Sequence, residues 1–502
     1  MTGGTVRNPA SAPAPAPAAT SAAHRRLTLT SSVLGAVLVA LDGTVLTIAQ
    51  PALRHDLHAS FAQVQWTGTG YLIAVASLLV FAGRLGDRYG HQRMFALGML
   101  GFGAASAGLW AAPGVGWVIG LRVVQGVFGA LLQPATLGML RAAFPPDRLG
   151  MPVALRTSAI GLAVAAGPLV GGVLVIHFGW RSVFLLNVVP ALVLGVLALL
   201  VRAPAPDVPD PDVPDPDVPH PYVPAGQRTS AVARLDLPGA LLLATALICL
   251  VHTLVGVPER GWTLDGMAGL LAAAAAAGAF VRHERRTADP LLPPDVFGPV
   301  AVRAALGLLV TASAAMLGTM FVGSHVLQDV LGLDPLRTSL TALPGAVAMV
   351  LGAPASAVLM RRRGARETTF LGTGLLTLGV LVLSRVDGGT ATAVISGGFL
   401  LLGAGFGAVM VTATAVLVRQ APVASAGVTG GLQQTALNVG PALGTAAATT
   451  VLTLSDGTGT APALTVLACA AALGGLFCVR LPGADGRSPG TGARCAGDIE
   501  GE

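Results

Sequence analysis

Apolar runs of about 20 residues, the length that crosses a bilayer as a helix, recur along this chain between short stretches that hold most of its arginines. They fall near 29–51, 64–82, 94–112, 115–140, 152–176, 181–201, 237–256, 264–282, 301–323, 338–360, 369–385, 391–418, 427–453 and 462–480. Their lengths predict an all-α polytopic membrane protein with fourteen transmembrane helices, because a span must satisfy its backbone internally. Composition agrees: 11% of residues are charged, against about 25% in soluble domains, and mean hydropathy is +0.73. The run at 29–51 is too long for a signal peptide and contains Asp42.

All thirty basic residues are arginine. With the N-terminus cytoplasmic, twenty-three arginines fall inside and only Arg54, Arg181, Arg260, Arg337 and Arg385 fall outside, while Arg122 and Arg156 lie within or near spans. This positive-inside bias orients the chain as a multi-pass protein of the cytoplasmic membrane with both termini cytoplasmic. Trp66, Trp110, Trp117, Trp180 and Trp262 all fall at expected external helix ends, where tryptophan favours the interface. The net charge of +6 thus reflects topology, and nucleic acid is not an expected partner. The four cysteines show no metal-ligand spacing.

Residues 1–27 are Ala/Pro-rich and read as a disordered cytoplasmic tail. Residues 203–235 repeat a decaying Asp-Val-Pro-Asp-Pro unit, which forbids helix and favours an extended linker. The expected layout is a six-helix bundle over 28–202, the linker, two extra helices over 236–283, a second six-helix bundle over 284–480 and a tail over 481–502. A faint internal repeat supports the halves: aligning Gly90 with Gly364 places Leu85 over Leu359 and Arg88 over Arg362, while Asp87 meets Arg361. Repeated halves of a membrane bundle suggest a transporter with its site at their interface.

Four features stand out along the chain. Asp42 lies deep in the first span, where a carboxylate costs roughly 3 kcal/mol or more. Arg122 lies early in the fourth, followed by Gln125 and Gly126; it either faces a wet interior or snorkels to the external interface. The turn "GRLGDRYGHQR" (83–93) joins spans two and three. There Asp87 can pair with Arg84, Arg88 or Arg93, or face the positive end of a nearby helix; a plain solvated basic loop is the competing reading. The fifth span carries Gly167-Pro168 and Gly171-Gly172, which can kink a helix and admit a close neighbour, or form a purely structural small-residue seam.

The turn resembles the signature loop of the major facilitator superfamily, G-x-L-a-D-r-x-G-r-k. Gly83, Leu85, Asp87, Arg88 and Gly90 match, while His91 and Gln92 replace the usual basic pair and Arg93 supplies a charge one place later. The resemblance implies a loop that governs the switch between inward- and outward-facing states. Arg122, Gln125 and Gly126 resemble the family's R-x-x-Q-G motif, whose arginine is implicated in proton coupling. Gly167, Pro168, Gly171 and Gly172 resemble the antiporter motif G-x-x-x-G-P-x-x-G-G, associated with export, with Ala163 at its first glycine. Leu41, Asp42, Thr44, Ala49 and Pro51 resemble a first-span motif of the fourteen-helix drug:proton antiporters, with Thr47 where the family often has Asn.

The resemblance covers roughly residues 28–480 and implies a major facilitator fold of two six-helix bundles plus two central helices. It implies a monomeric, proton-driven exporter of a drug or antibiotic, without a cofactor. Asp42 is the expected proton carrier and Arg122 its candidate partner. With one buried acid and 5% aromatic residues, a neutral or monocationic apolar substrate is expected. A proton-coupled uptake carrier of the same fold is the alternative, with a non-transporting membrane protein behind it. Without lysine the chain has no P-loop, which excludes ATP coupling of that kind within it, and no nucleophile triad marks an enzyme.

Overall fold

The computed structural model describes residues 22–145, 148–200, 236–287, 289–333, 335–387, 389–422, 425–455 and 460–482. The expected Pro/Asp linker, nearly all of the expected C-terminal tail and most of the N-terminal one lie outside these residues. All regular structure among the described residues is helical. Helices α1 (Ala22–Asp56), α2 (Phe61–Tyr89), α3 (His91–Trp110), α4 (Val115–Ala143), α5 (Gly150–Phe178) and α6 (Ser182–Leu200) form the first bundle. Helices α7 (Leu237–Arg260) and α8 (Leu264–Glu284) follow. A single turn, α9 (Pro294–Phe297), precedes the second bundle of α10 (Val300–His325), α11 (Pro335–Leu383), α12 (Thr392–Gln420), α13 (Ala426–Leu454) and α14 (Thr460–Cys478).

Helix α1 begins at Ala22, inside the tail expected to end at residue 27, because Ala-Ala-His-Arg-Arg-Leu holds helix-compatible residues that extend the span outward. Among the described residues, eleven helices are long and apolar enough to cross a membrane, or twelve with the bent α5 counted as one span. The expected fourteen is not reached on that count. Helix α3 falls outside it, since its glycines and Arg93 dilute its apolarity, and α11 runs through two expected spans as one helix broken at Gly364.

Gly364 (φ 85°) and Gly90 (φ 95°) share a left-handed backbone that a side chain rarely adopts. Each joins two consecutive helical segments with almost no loop. They are the two positions that the internal repeat aligns, so the repeat survives as geometry where the side chains have diverged.

Each bundle has its own core. In the first, Phe95, Met99, Phe102 and Leu132 pack in one layer and Leu53, Leu109, Val118 and Phe184 in another. In the second, Leu308, Leu376, Phe399 and Leu402 are central. The bundles meet along α2 with α13 and along α5 with α11, a pairing that the internal repeat relates. Many of these contacts lie toward the end that carries the α2–α3 turn. There Ala154 packs on Ala353, Ala357 and Val411, Leu140 and Leu149 pack on Val418, and Arg141 donates to the Ala421 carbonyl at 3.0 Å.

Helix α7 leans on the α2–α13 seam. His252 stacks on Trp66 at 5.5 Å, and Leu254 and Val257 pack on Ala442 and Ala446. Trp262, in the α7–α8 turn, donates to the Thr450 hydroxyl at 2.6 Å. Of the expected interfacial tryptophans, Trp66, Trp110, Trp117 and Trp262 are exposed, but Trp180 is buried against Phe184. Its ring edge is used internally, donating to Asp56 at 2.9 Å.

Candidate functional site

The first bundle closes around a polar knot in an otherwise apolar interior. Asp42 on α1 and Arg122 on α4 are both buried, at 4% and 1% exposure. Arg122 Nη1 donates to Asp42 Oδ2 at 2.6 Å and also to the Gln125 side-chain carbonyl. Its Nε donates to the Thr67 carbonyl on α2 at 3.1 Å, and its guanidinium lies 4.3 Å above the Tyr71 ring centroid, a cation–π contact. The snorkelling alternative for Arg122 is therefore not what the fold adopts.

The other carboxylate oxygen is held separately. Asn187 on α6 donates to Asp42 Oδ1 at 2.7 Å, and Gln125 donates to the same oxygen at 3.2 Å and to Ser106 Oγ on α3 at 2.8 Å. Helices α1, α2, α3, α4 and α6 thus converge on one ion pair. Desolvating both charges costs several kcal/mol per ion, and only good geometry and added hydrogen bonds offset it. The knot supplies both, with the guanidinium and two side-chain amides held against the carboxylate.

Gly126 lets α4 approach α2: a Cβ there would lie 2.7 Å from the Tyr71 carbonyl and 2.8 Å from the Ala74 methyl. Gly167 and Gly171 seat α5 on α1, where a Cβ on Gly167 would collide with Thr44 and one on Gly171 would touch Val45 and Ile48 at 3.3 Å. Gly172 faces open space, so it takes no part in the seam expected of it. Helix α5 bends by 43° between Gly150–Val164 and Leu169–Phe178, which places Gly167 and Pro168 at the bend. The seam therefore braces the segment of α1 immediately after Asp42.

The α2–α3 turn does something different with its acid. Asp87 accepts from the Gly427 and Val428 backbone N–H groups at 2.6 and 3.0 Å. It thereby caps the N-terminus of α13, where a negative charge is favoured. Of the two expected arrangements, the fold adopts the helix end. His91 Nε2 is 3.4 Å from the same carboxylate. A Cβ on Gly83 would run into the Gly427 carbonyl, so glycine at both positions lets the two backbones touch. Leu85 is partly buried beside Ala82 and Ala130, Gly90 makes the left-handed turn, and Arg88 lies 5.3 Å from the Tyr89 ring centroid. Arg93 is exposed at the start of α3.

Asn187, Ser106, Tyr71 and Thr67 complete the knot and were not among the residues singled out in the sequence. Asn187 carried a usable signal, a lone amide in the very apolar "SVFLLNVVPALVLG". Ser106 and Thr67 carried none, since serine and threonine recur in many spans, whereas Tyr71 is the one tyrosine within the expected spans.

The Major Facilitator Superfamily pattern matches residues 32–445. The chain is 38% identical over 420 residues to the tetracenomycin C resistance and export protein of Streptomyces glaucescens, covering 84% of this chain and 74% of that one. It is 31% identical over 425 residues to the multidrug efflux pump LfrA of Mycolicibacterium smegmatis, covering 84% and 79%. Among solved structures, the human organic anion transporter MFSD10 superposes with a TM-score of 0.64, covering 90% of this chain and 99% of that one at 15% identity, a likeness of fold alone. The chain belongs to the Major Facilitator Superfamily and is a multi-pass membrane transporter rather than an enzyme.

Proposed function

We propose that this protein is a proton-driven exporter of drug-like small molecules, of the fourteen-helix drug:proton antiporter group. The observation that carries the reading is the buried Asp42–Arg122 pair, held by Gln125 and Asn187, in a chain similar to proteins named for antibiotic export and multidrug efflux. The reading of fourteen spans counts α3, the bent α5 and the two arms of α11 on either side of Gly364 beside the other ten long helices.

Protonation of Asp42 removes its charge and leaves Arg122 buried without a counter-ion, which is costly. The knot must then rearrange, and α1 and α4 carry the rearrangement into the bundle. Release of the proton restores the pair. Each 100 mV of membrane potential adds about 2.3 kcal/mol per inward proton. The α2–α3 end is taken as cytoplasmic from the arginine bias. Asp87 on the α13 N-terminus then holds that end closed, and the seams at Gly83–Gly427 and along α5–α11 part when it opens. The chain acts as a monomer, each bundle supplying half of the path.

Export is tested in everted membrane vesicles with tetracenomycin C and ethidium as probes. Uptake into the vesicles on energisation, abolished by a protonophore, is expected. Movement in the opposite direction would replace this reading with proton-coupled uptake.

A further inference from the structure

Arg156 on α5 is a second arginine inside the first bundle, 4% exposed. No carboxylate pairs with it among the described residues. Its Nη2 donates one long hydrogen bond, 3.3 Å, to the Thr136 hydroxyl on α4, and its Nε is buried without a partner. Thr136 is itself held in place: Ser32 on α1 donates to its carbonyl at 3.1 Å. A buried guanidinium with a single neutral partner is expensive to keep. The contrast with Arg122 is sharp, since that arginine has a carboxylate, an amide, a carbonyl and a ring.

Position gives the unpaired charge a use. Arg156 precedes Gly167 by eleven residues, about three turns, on the far side of the α5 bend, and its guanidinium meets α4 at Thr136. Arg156 is the nearer to the sealed α2–α3 end, which an exporter must open to load its cargo. Arg122 neutralises Asp42. The net charge left buried in this part of the bundle is positive.

We propose that Arg156, with the Thr136 hydroxyl, is an anion subsite that takes an acidic group, a carboxylate or an ionised phenol, on an otherwise apolar substrate. The proposal rests on the export reading for its direction only; the recognition itself is a binding property. When the α2–α3 end opens, the guanidinium offers its Nε and Nη groups to the acid, while Thr136, whose hydroxyl donates to the Gln133 carbonyl at 2.8 Å, positions the guanidinium by accepting from it. The same chemistry would recognise the phosphate of an anionic lipid, and the test separates the two.

The test uses three tricyclic fluorescent probes of matched shape: 9-anthracenecarboxylate, 9-anthracenecarboxamide and 9-(aminomethyl)anthracene. Binding to the purified full-length protein in neutral detergent at pH 7.5 is followed by fluorescence anisotropy. Wild type is expected to bind the carboxylate about tenfold or more tighter than the other two, the range of a charge-assisted hydrogen bond. Arg156→Gln should erase that preference, and Arg156→Lys should keep part of it. Undiminished binding of 9-anthracenecarboxamide by Arg156→Gln controls for a folding defect in that variant. Equal binding of the three probes by wild type, no binding of the carboxylate, or an undiminished preference in Arg156→Gln would each overturn the proposal. Loss of the carboxylate preference on adding phosphatidylglycerol to the micelles would also overturn it, by giving the site to a lipid. Vesicle export that fails while the preference persists would remove the export reading and leave the subsite standing.

Discussion

Asn187 donates its amide N–H to Asp42 Oδ1 at 2.7 Å across 145 residues of sequence. This bond fixes which carboxylate oxygen is left for Arg122. A hydrogen bond to a charged group contributes about 1.5–3 kcal/mol. Asn187→Leu should therefore lower the energised transport rate by about tenfold or more and move its pH profile, whereas Asn187→Gln should retain part of the activity. Transport rates measured between pH 5.5 and 8.5 check this. A profile of unchanged shape in Asn187→Leu would show that the amide does not orient the acid.

Arg122 and Asp42 should behave as one unit in stability. Removing either partner leaves a buried charge and costs about 3–5 kcal/mol. Arg122→Gln is expected to lower the thermal midpoint strongly, and the double variant Arg122→Gln/Asp42→Asn to recover much of the loss. A double-mutant cycle on purified protein measures the coupling. Additive losses would contradict the pairing.

Glycine at 83 is predicted to be needed for closure. Gly83→Leu places a side chain against the Gly427 backbone and should drive the bundles apart at the α2–α3 end. Spin labels at Met151→Cys and Arg419→Cys, in a background without the native cysteines, report the separation. A longer and broader distance distribution in Gly83→Leu is expected. Unchanged distances would show that the seam tolerates a side chain.

At the opposite end, Asp56 accepts from Trp180 at 2.9 Å and from Arg181 at 2.6 Å. The Trp180 hydrogen bond first, then that of Arg181, hold its carboxyl below the usual range. A carboxyl lowered on folding stabilises the fold fully above its unfolded value, about 3.9, and loses that contribution as pH falls through the lower folded value. Trp180 emission should therefore stay constant down to about pH 4 and change only below it. Trp180→Phe isolates the signal from the other tryptophans, and Asp56→Asn should remove the transition.

Much of the site was legible because charge in an apolar run is conspicuous. Asp42 and Arg122 stood out for that reason alone, and glycines in the α2–α3 turn and in α5 marked close approaches. What sequence could not convey was partnership. Nothing in the order of residues says that position 42 meets 122 and 187, or that Asp87 reaches residue 427 instead of its neighbouring arginines. Those pairings depend on how helices are arranged around one another, and an amide or hydroxyl does not advertise its target. Arg156 was visible as a charge near a span, but its lack of a carboxylate is a three-dimensional fact. The span count suffered from the opposite problem: a Gly364 kink with no loop is a turn in space and nearly continuous helix along the chain.

The central claim is that Asp42 carries the proton that substrate displaces. It is tested most directly by adding tetracenomycin C to lightly buffered, detergent-solubilised protein and recording proton release with a pH indicator. Wild type should release protons in proportion to occupied sites, and Asp42→Asn should bind the compound without release. Undiminished release from Asp42→Asn would contradict the claim and move the proton to another residue.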